Sequence, residues 1–246
     1  MLPASAVALG TTGTGVLAVM NGYNSSLILD KSFTLGGKSV TGTELADGDQ
    51  VDLMYAFSNV DNSGHKDAKV NLVFKHLWAQ VGFKLKYLEY KGNPIVIDNV
   101  KIYGMGNTVD FKGNDVIVND DETSNMSAIR TALSGAVKST SSNPFAIFNL
   151  SAEVGKNEEV TLVDKLMVFP IDLTSMPVTV EVSFKYGNEY GNELTLRGSI
   201  NSGEWISGKR YTYPLEVGAN SINFGEPAVT DWVKESISVD IDKAND

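Results

Sequence analysis

The stretch PVTVEVSF, residues 177–184, decides the fold class. Val178, Val180, Val182 and Phe184 fall on one side of an extended chain, with Thr179, Glu181 and Ser183 on the other. Successive side chains of a strand point to opposite faces, so this spacing predicts a strand with one apolar and one wet face. The same period recurs in both directions. GFKLKYLEY (82–90) alternates Phe83, Leu85 and Tyr87 with lysines, then less cleanly reaches Glu89. ELTLRGSI (193–200) sets Leu194 and Leu196 against Thr195 and Arg197, and RYTYPLEV (210–217) sets Tyr211, Tyr213, Leu215 and Val217 against Thr212, Pro214 and Glu216. Further strands are expected at 15–20, 25–30, 51–57, 95–103, 145–150, 158–163 and 166–169. Between them stand turn signals rich in glycine and asparagine, such as NGYNSS, DNSG, KGNP and NSGE.

Many short strands at hairpin spacing, each with one wet face, predict antiparallel sheets packed as a β-sandwich. One window reads as a short helix: in NMSAIRTALSGAV (125–137), Ile129, Leu133 and Val137 recur every four residues, with Ser127 as N-cap. A boundary is expected in the polar stretch SNVDNSGHKD (58–67). It divides an N-terminal β unit (1–62), short for an independent core, from a larger sandwich (63–232) and a terminal tail (233–246).

Composition narrows the function. Thirty acidic against twenty basic residues give a formal charge of −10, which repels nucleic acid, and no basic stripe offsets it. With no cysteine, disulfides, thiol catalysis and thiolate metal sites are excluded. No run approaches the roughly 18 apolar residues of a membrane helix. The opening MLPASAVALGTTGTGVLAVM lacks a positive start, and glycines and threonines interrupt it, so it reads poorly as a signal peptide; a leader removed ahead of Met1 is the expectation.

Several residues invite a chemical reading. His76 lies between Phe74 and Trp78 in KVNLVFKHLWAQVGFKLKY (69–87), and the only other histidine, His65, stands in the polar linker. With no nucleophile or carboxylate at a recognisable spacing, His76 reads as a structural residue at a strand end, hydrogen-bonded to backbone. GTTGTG (10–15) lacks the Lys-Ser/Thr of a phosphate loop and precedes no helix. DGDQVD (47–52) and NDDETSN (119–125) cluster carboxylates without the terminal glutamate of a calcium loop, and read as solvated turns. Trp78, Trp205 and Trp232 could line a sugar-binding face, although aromatics in strands more often pack a core. No catalytic residue, metal ligand or cofactor site is assigned, and an enzyme is not expected. The tail is different. In SISVDID (236–242), Ile237, Val239 and Ile241 alternate with polar residues where most chains fray. The pattern fits either a last edge strand of the chain's own sheet or a strand offered to another molecule.

Four stretches, in order, resemble the fimbrillin family of Bacteroidales, the subunits of type V pili and their fimbrillin-like accessory relatives. They are DLMYA (52–56), VNLVFKHLWAQVGFKL (70–85), LMVFPIDL (166–173) followed by VTVEVSF (178–184), and WISGKRYTYPLEV (205–217) followed by VTDWV (229–233). The resemblance implies two tandem transthyretin-like β-sandwiches, the first short or incomplete, and a non-enzymatic role at the cell surface, in an outer-membrane fimbrium. In the family, subunits are exported as lipoproteins, an N-terminal strand is cut away after an arginine, and the groove accepts the C-terminal strand of the next subunit. By that likeness Ile237, Val239 and Ile241 are the donor side chains, and the partners are other fimbrial subunits and host or bacterial surface ligands. Membrane contact would run only through a leader or lipid anchor. The alternative expectation is a monomeric glycan-binding β-sandwich at the cell surface.

Overall fold

Alternating apolar positions can be buried only if extended segments find partners, and in a computed structural model of the chain nineteen strands do so among the described residues. The structure describes residues 16–21, 30–58, 69–88, 94–112, 133–134, 138–187, 193–218, 221–232 and 235–240. In chain order the strands are β1 (Val16–Asn21), β2 (Asp30–Thr34), β3 (Lys38–Thr41), β4 (Leu53–Ser58), β5 (Lys69–His76), β6 (Ala79–Tyr87), β7 (Ile95–Tyr103), β8 (Thr108–Lys112), β9 (Leu133–Ser134) and β10 (Ala146–Val154). They continue with β11 (Glu159–Val168), β12 (Ile171–Asp172), β13 (Val178–Tyr186), β14 (Glu193–Ile200), β15 (Glu204–Trp205), β16 (Lys209–Val217), β17 (Ile222–Phe224), β18 (Ala228–Asp231) and β19 (Glu235–Asp240).

The fold is all-β. Two five-stranded sheets, in the orders β14-β13-β7-β10-β3 and β11-β6-β16-β17, the latter with β18 also on β16, form its body. A four-stranded sheet runs β1-β4-β5-β19, and smaller sheets join β2-β8-β9 and β12-β15. The apolar faces of the two large sheets share one core. Val178, Val180, Val182 and Phe184 of β13 and Ile97, Val100 and Ile102 of β7 belong to the same buried cluster as Val81, Phe83 and Leu85 of β6 and Tyr213 and Leu215 of β16. The Phe83 and Tyr213 rings stack at 5.7 Å, and the Tyr87 ring of one sheet lies 6.5 Å from Tyr186 of the other.

The alternation is carried out most cleanly in β16, where Tyr211, Tyr213, Leu215 and Val217 are buried while Pro214 and Glu216 are exposed. In β13 the wet face is covered as well. Glu181 is 3% exposed, held by Arg197 Nε at 2.7 Å and Lys101 Nζ at 3.3 Å, and the hydroxyls of Ser183 and Thr195 are 3.1 Å apart. A central strand flanked by β7 and β14 has neighbours whose long side chains can close over its polar side. At the edge, β14 leaves Leu194 38% exposed.

Most pairs are antiparallel, as expected, but β3 lies parallel to β10 and β16 parallel to β6. Each joins segments far apart in the chain, where no hairpin imposes the antiparallel direction. The boundary expected near residue 62 falls between β4 and β5, which pair with each other through Met54–His76 and Tyr55–Lys75. Strands before it also enter later sheets: β2 pairs with β8, and β3 with β10. The helix expected over 125–137 lies outside the described residues except for Leu133 and Ser134, which form β9 against Phe111 and Asp110. GTTGTG, NDDETSN and His65 also lie outside them.

Gly82 and Gly208 are among the glycines that close approach or backbone conformation requires. A Cβ on Gly82 would stand 2.7 Å from the carbonyl oxygen of Asp164, where the register of β11 on β6 shifts between Val163 and Leu166. Gly208, at φ 72°, turns the chain between Trp205 and β16. That turn is closed by two tyrosines of the WISGKRYTY motif. The Tyr211 hydroxyl accepts from the Ile206 N–H at 2.9 Å, and the Tyr213 hydroxyl accepts from Trp205 Nε1–H at 3.0 Å.

Candidate functional site

The tail predicted to alternate is strand β19. It runs antiparallel to β5 of the same chain and stands last in its sheet. The register sets Glu235 opposite Phe74, Ile237 opposite Leu72 and Val239 opposite Val70. Ile241 lies outside the described residues.

What fixes that register stands just before the tail. Lys209 pairs with Asp231 in the β16–β18 ladder, where Lys209 Nζ donates to Asp231 Oδ1 at 2.6 Å, and the Trp232 N–H donates to the Gly208 carbonyl at 2.9 Å. This places the Trp232 ring flat on His76, with centroids 3.8 Å apart and planes 5° from parallel. His76 ends β5 and is 6% exposed. The chain therefore leaves Trp232 beside the end of β5 and begins β19 opposite Phe74, two residues back along that strand.

His76 has a partner that its place in the sequence does not suggest: its Nδ1 lies 2.9 Å from Oδ1 of buried Asp52. Asp52 is brought there because the segment ahead of β4 is strapped down. Gln50 Nε2–H donates to the carbonyls of Leu35 (2.8 Å) and Met167 (2.9 Å), and its Oε1 accepts from the Met167 N–H at 2.8 Å. Trp78 Nε1–H donates to the Val51 carbonyl at 2.7 Å, and the Leu77 N–H to that of Leu53 at 2.8 Å. The acidic turn DGDQVD thus has two halves. Asp49 Oδ2 accepts from the Ala46 N–H at 3.0 Å at the surface, while Gln50 and Asp52 are buried.

Asp52, His76 and Trp232 line a cleft of about 790 Å³ together with Glu44, Gln80 and Lys165. Among the described residues no group of three or more His, Asp or Glu side chains is placed to hold a metal ion. The idea of a sugar-binding face built from three tryptophans is corrected here. Trp78 and Trp205 are 0% and 1% exposed and spend their N–H groups on Val51 and Tyr213, so neither presents a ring to solvent. Only Trp232 is partly exposed.

The fold and site define an all-β protein whose terminal strand zips onto the edge of a neighbouring strand. The model of the family described as fimbrillin-like matches residues 29–232, and the chain belongs to that family. Among solved structures it is similar to a candidate cell adhesion protein of Bacteroides uniformis, at 15% identity over 89% of this chain and 73% of that one, with a TM-score of 0.47. It is similar to a second candidate cell adhesion protein, from Bacteroides ovatus, at 16% identity over 89% and 68% with a TM-score of 0.49. A fimbrial protein of Bacteroides vulgatus matches at 14% identity over 92% and 73%, with a TM-score of 0.45. A comparison with curated proteins finds no match. No helix among the described residues is long and apolar enough to cross a membrane.

Proposed function

We propose that the chain is a structural or adhesive subunit of bacterial cell-surface fimbriae, joined to its neighbours by lending strand β19. The role is one of assembly rather than catalysis. The observation that carries this reading is the pairing of β19 with β5 at the end of its sheet, in a register that sets Ile237 and Val239 opposite Leu72 and Val70. An edge that accepts this strand from its own chain offers the same ladder to the identical strand of a second copy, which makes exchange a low-cost route to association. Ile241 extends the same alternation and is proposed as a third donor side chain.

The strength fits the task. Each aliphatic side chain buried on docking is worth about 1.5–3 kcal/mol, and each ladder hydrogen bond about 0.5–1.5 kcal/mol net. Because the strand must leave as a unit, the joint opens slowly. Partners are other fimbrial subunits, and the location is the cell surface, at an outer-membrane fimbrium.

The test is to delete residues 234–246, which spares Trp232, and to measure subunit association by sedimentation at rising protein concentration. Val239→Asp should do nearly the same damage, because it forces a charge onto the apolar face of the ladder. Association that survives both changes overturns strand lending.

A further inference from the structure

The cleft beside Trp232 has features that strand exchange does not use. Gln80 of β6 lines it, is 6% exposed, and its side-chain amide makes no hydrogen bond among the described residues. An amide with no protein partner that lines a cleft has donors and an acceptor to offer an entering molecule. Gln50, on the same wall, has its amide fully occupied by Leu35 and Met167. The contrast singles out Gln80.

The other groups define what it would meet. The Trp232 ring is backed by His76 on one face and borders the cleft with its remaining surface. Lys165 reaches the rim, where its Nζ lies 3.5 Å from Glu44 Oε2, and Thr41 adds a hydroxyl. Glu44 pairs with Lys165 and Asp52 with His76, while Asp47 adds a further carboxylate. The volume, about 790 Å³, lies within the ordinary range for small-ligand sites. An indole surface beside a mixture of donors and acceptors suits a molecule with apolar C–H patches and many hydroxyls. An anionic ligand is disfavoured by Asp47 and by the net charge of −10.

We propose that this cleft binds a neutral saccharide, with Gln80 hydrogen-bonding its hydroxyls and Trp232 packing against a ring. This deepens the adhesive half of the function proposed above by naming a ligand class. It is read on the full-length monomer, so its outcome is separate from that of strand lending.

The experiment titrates the full chain with neutral oligosaccharides ending in mannose, galactose or N-acetylglucosamine, and with sialylated counterparts, following tryptophan fluorescence. Trp78 and Trp205 are buried, so a change reports on Trp232. At least one neutral oligosaccharide should bind saturably, with its sialylated form tenfold or more weaker. Calorimetry should show Gln80→Met, which keeps the volume, weakening binding at least tenfold with an unchanged thermal unfolding midpoint. Lys165→Met, at the half-exposed rim, should weaken it severalfold and serves if the buried variant fails to fold. The proposal is overturned if no neutral oligosaccharide binds up to millimolar concentration, if sialylated forms bind as well or better, or if neither variant changes affinity.

Discussion

Replacing Trp232 with alanine should loosen the terminal strand while leaving the body of the protein intact. The ring lies 3.8 Å from His76 and nearly parallel to it, three residues before the ladder that begins at Glu235. An aromatic pair of this kind is worth about 0.5–1.5 kcal/mol beyond the area it buries. A partly exposed indole adds a further contribution of similar size from the surface it removes from water. A total of roughly 1–3 kcal/mol converts, at about 1.4 kcal/mol per factor of ten, into a roughly 5- to 140-fold rise in the open fraction of the tail. Native-state hydrogen exchange with peptide-level mass readout measures this directly. Amides of 235–240 and of the facing part of β5 should exchange faster by that factor, whereas β7 and β13 should not change. Two results refute the reasoning. If β19 exchanges at the wild-type rate, the stack does not anchor it; if β7 and β13 accelerate equally, the ring supports the whole fold rather than the tail.

Two further outcomes follow from the core. Gly82→Ala drives a methyl to within 2.7 Å of the Asp164 carbonyl, so β11 must shift away from β6; a loss of about 1–3 kcal/mol is expected in urea unfolding, and an unchanged midpoint would show that the step in β11 yields freely. The hydroxyls of Tyr213 and Tyr211 have pKa values raised above the usual tyrosine range, chiefly by burial. The unfolded chain therefore releases these protons first, and stability, level below about pH 10, should fall as pH rises through and beyond that value. Tyr213→Phe should flatten part of that fall in denaturant midpoints collected from pH 8 upward, even though it leaves Trp205 without its acceptor.

How much of this was legible depended on the range of the interaction. Alternation in PVTVEVSF and RYTYPLEV requires only neighbours in sequence, and both became strands with the expected buried side. Ile95–Tyr103 took the limits its pattern predicts. The burial of Glu181 and Ser183 was hidden, because it depends on Lys101, Arg197 and Thr195 arriving from flanking strands. Asp52 stood in the sequence only as the end of an acidic turn and the start of DLMYA. Its meeting with His76, 24 residues on, follows from the strapping of the segment by Gln50 and Trp78, which no local spacing encodes. Trp78 and Trp205 are buried, as strand aromatics more often are, but their spacing alone could not tell a ring that faces a sugar from one that faces the core. The terminal strand was visible as a pattern, but its partner β5 was not.

The parallel pairing of β16 with β6 has a consequence for how the molecule is made. Tyr213 sits beside Phe83, and Arg210 beside Gln80, so the middle of one main sheet joins segments about 130 residues apart. Until residues 209–217 have been synthesised, β6 lacks the neighbour that completes its side of the sheet. Contacts so distant in sequence carry a large loop-closure cost and slow the search for the native state. The nascent chain therefore spends its synthesis with an apolar strand edge uncovered, and for that interval its survival rests on whatever shields Val81, Phe83 and Leu85 from other chains.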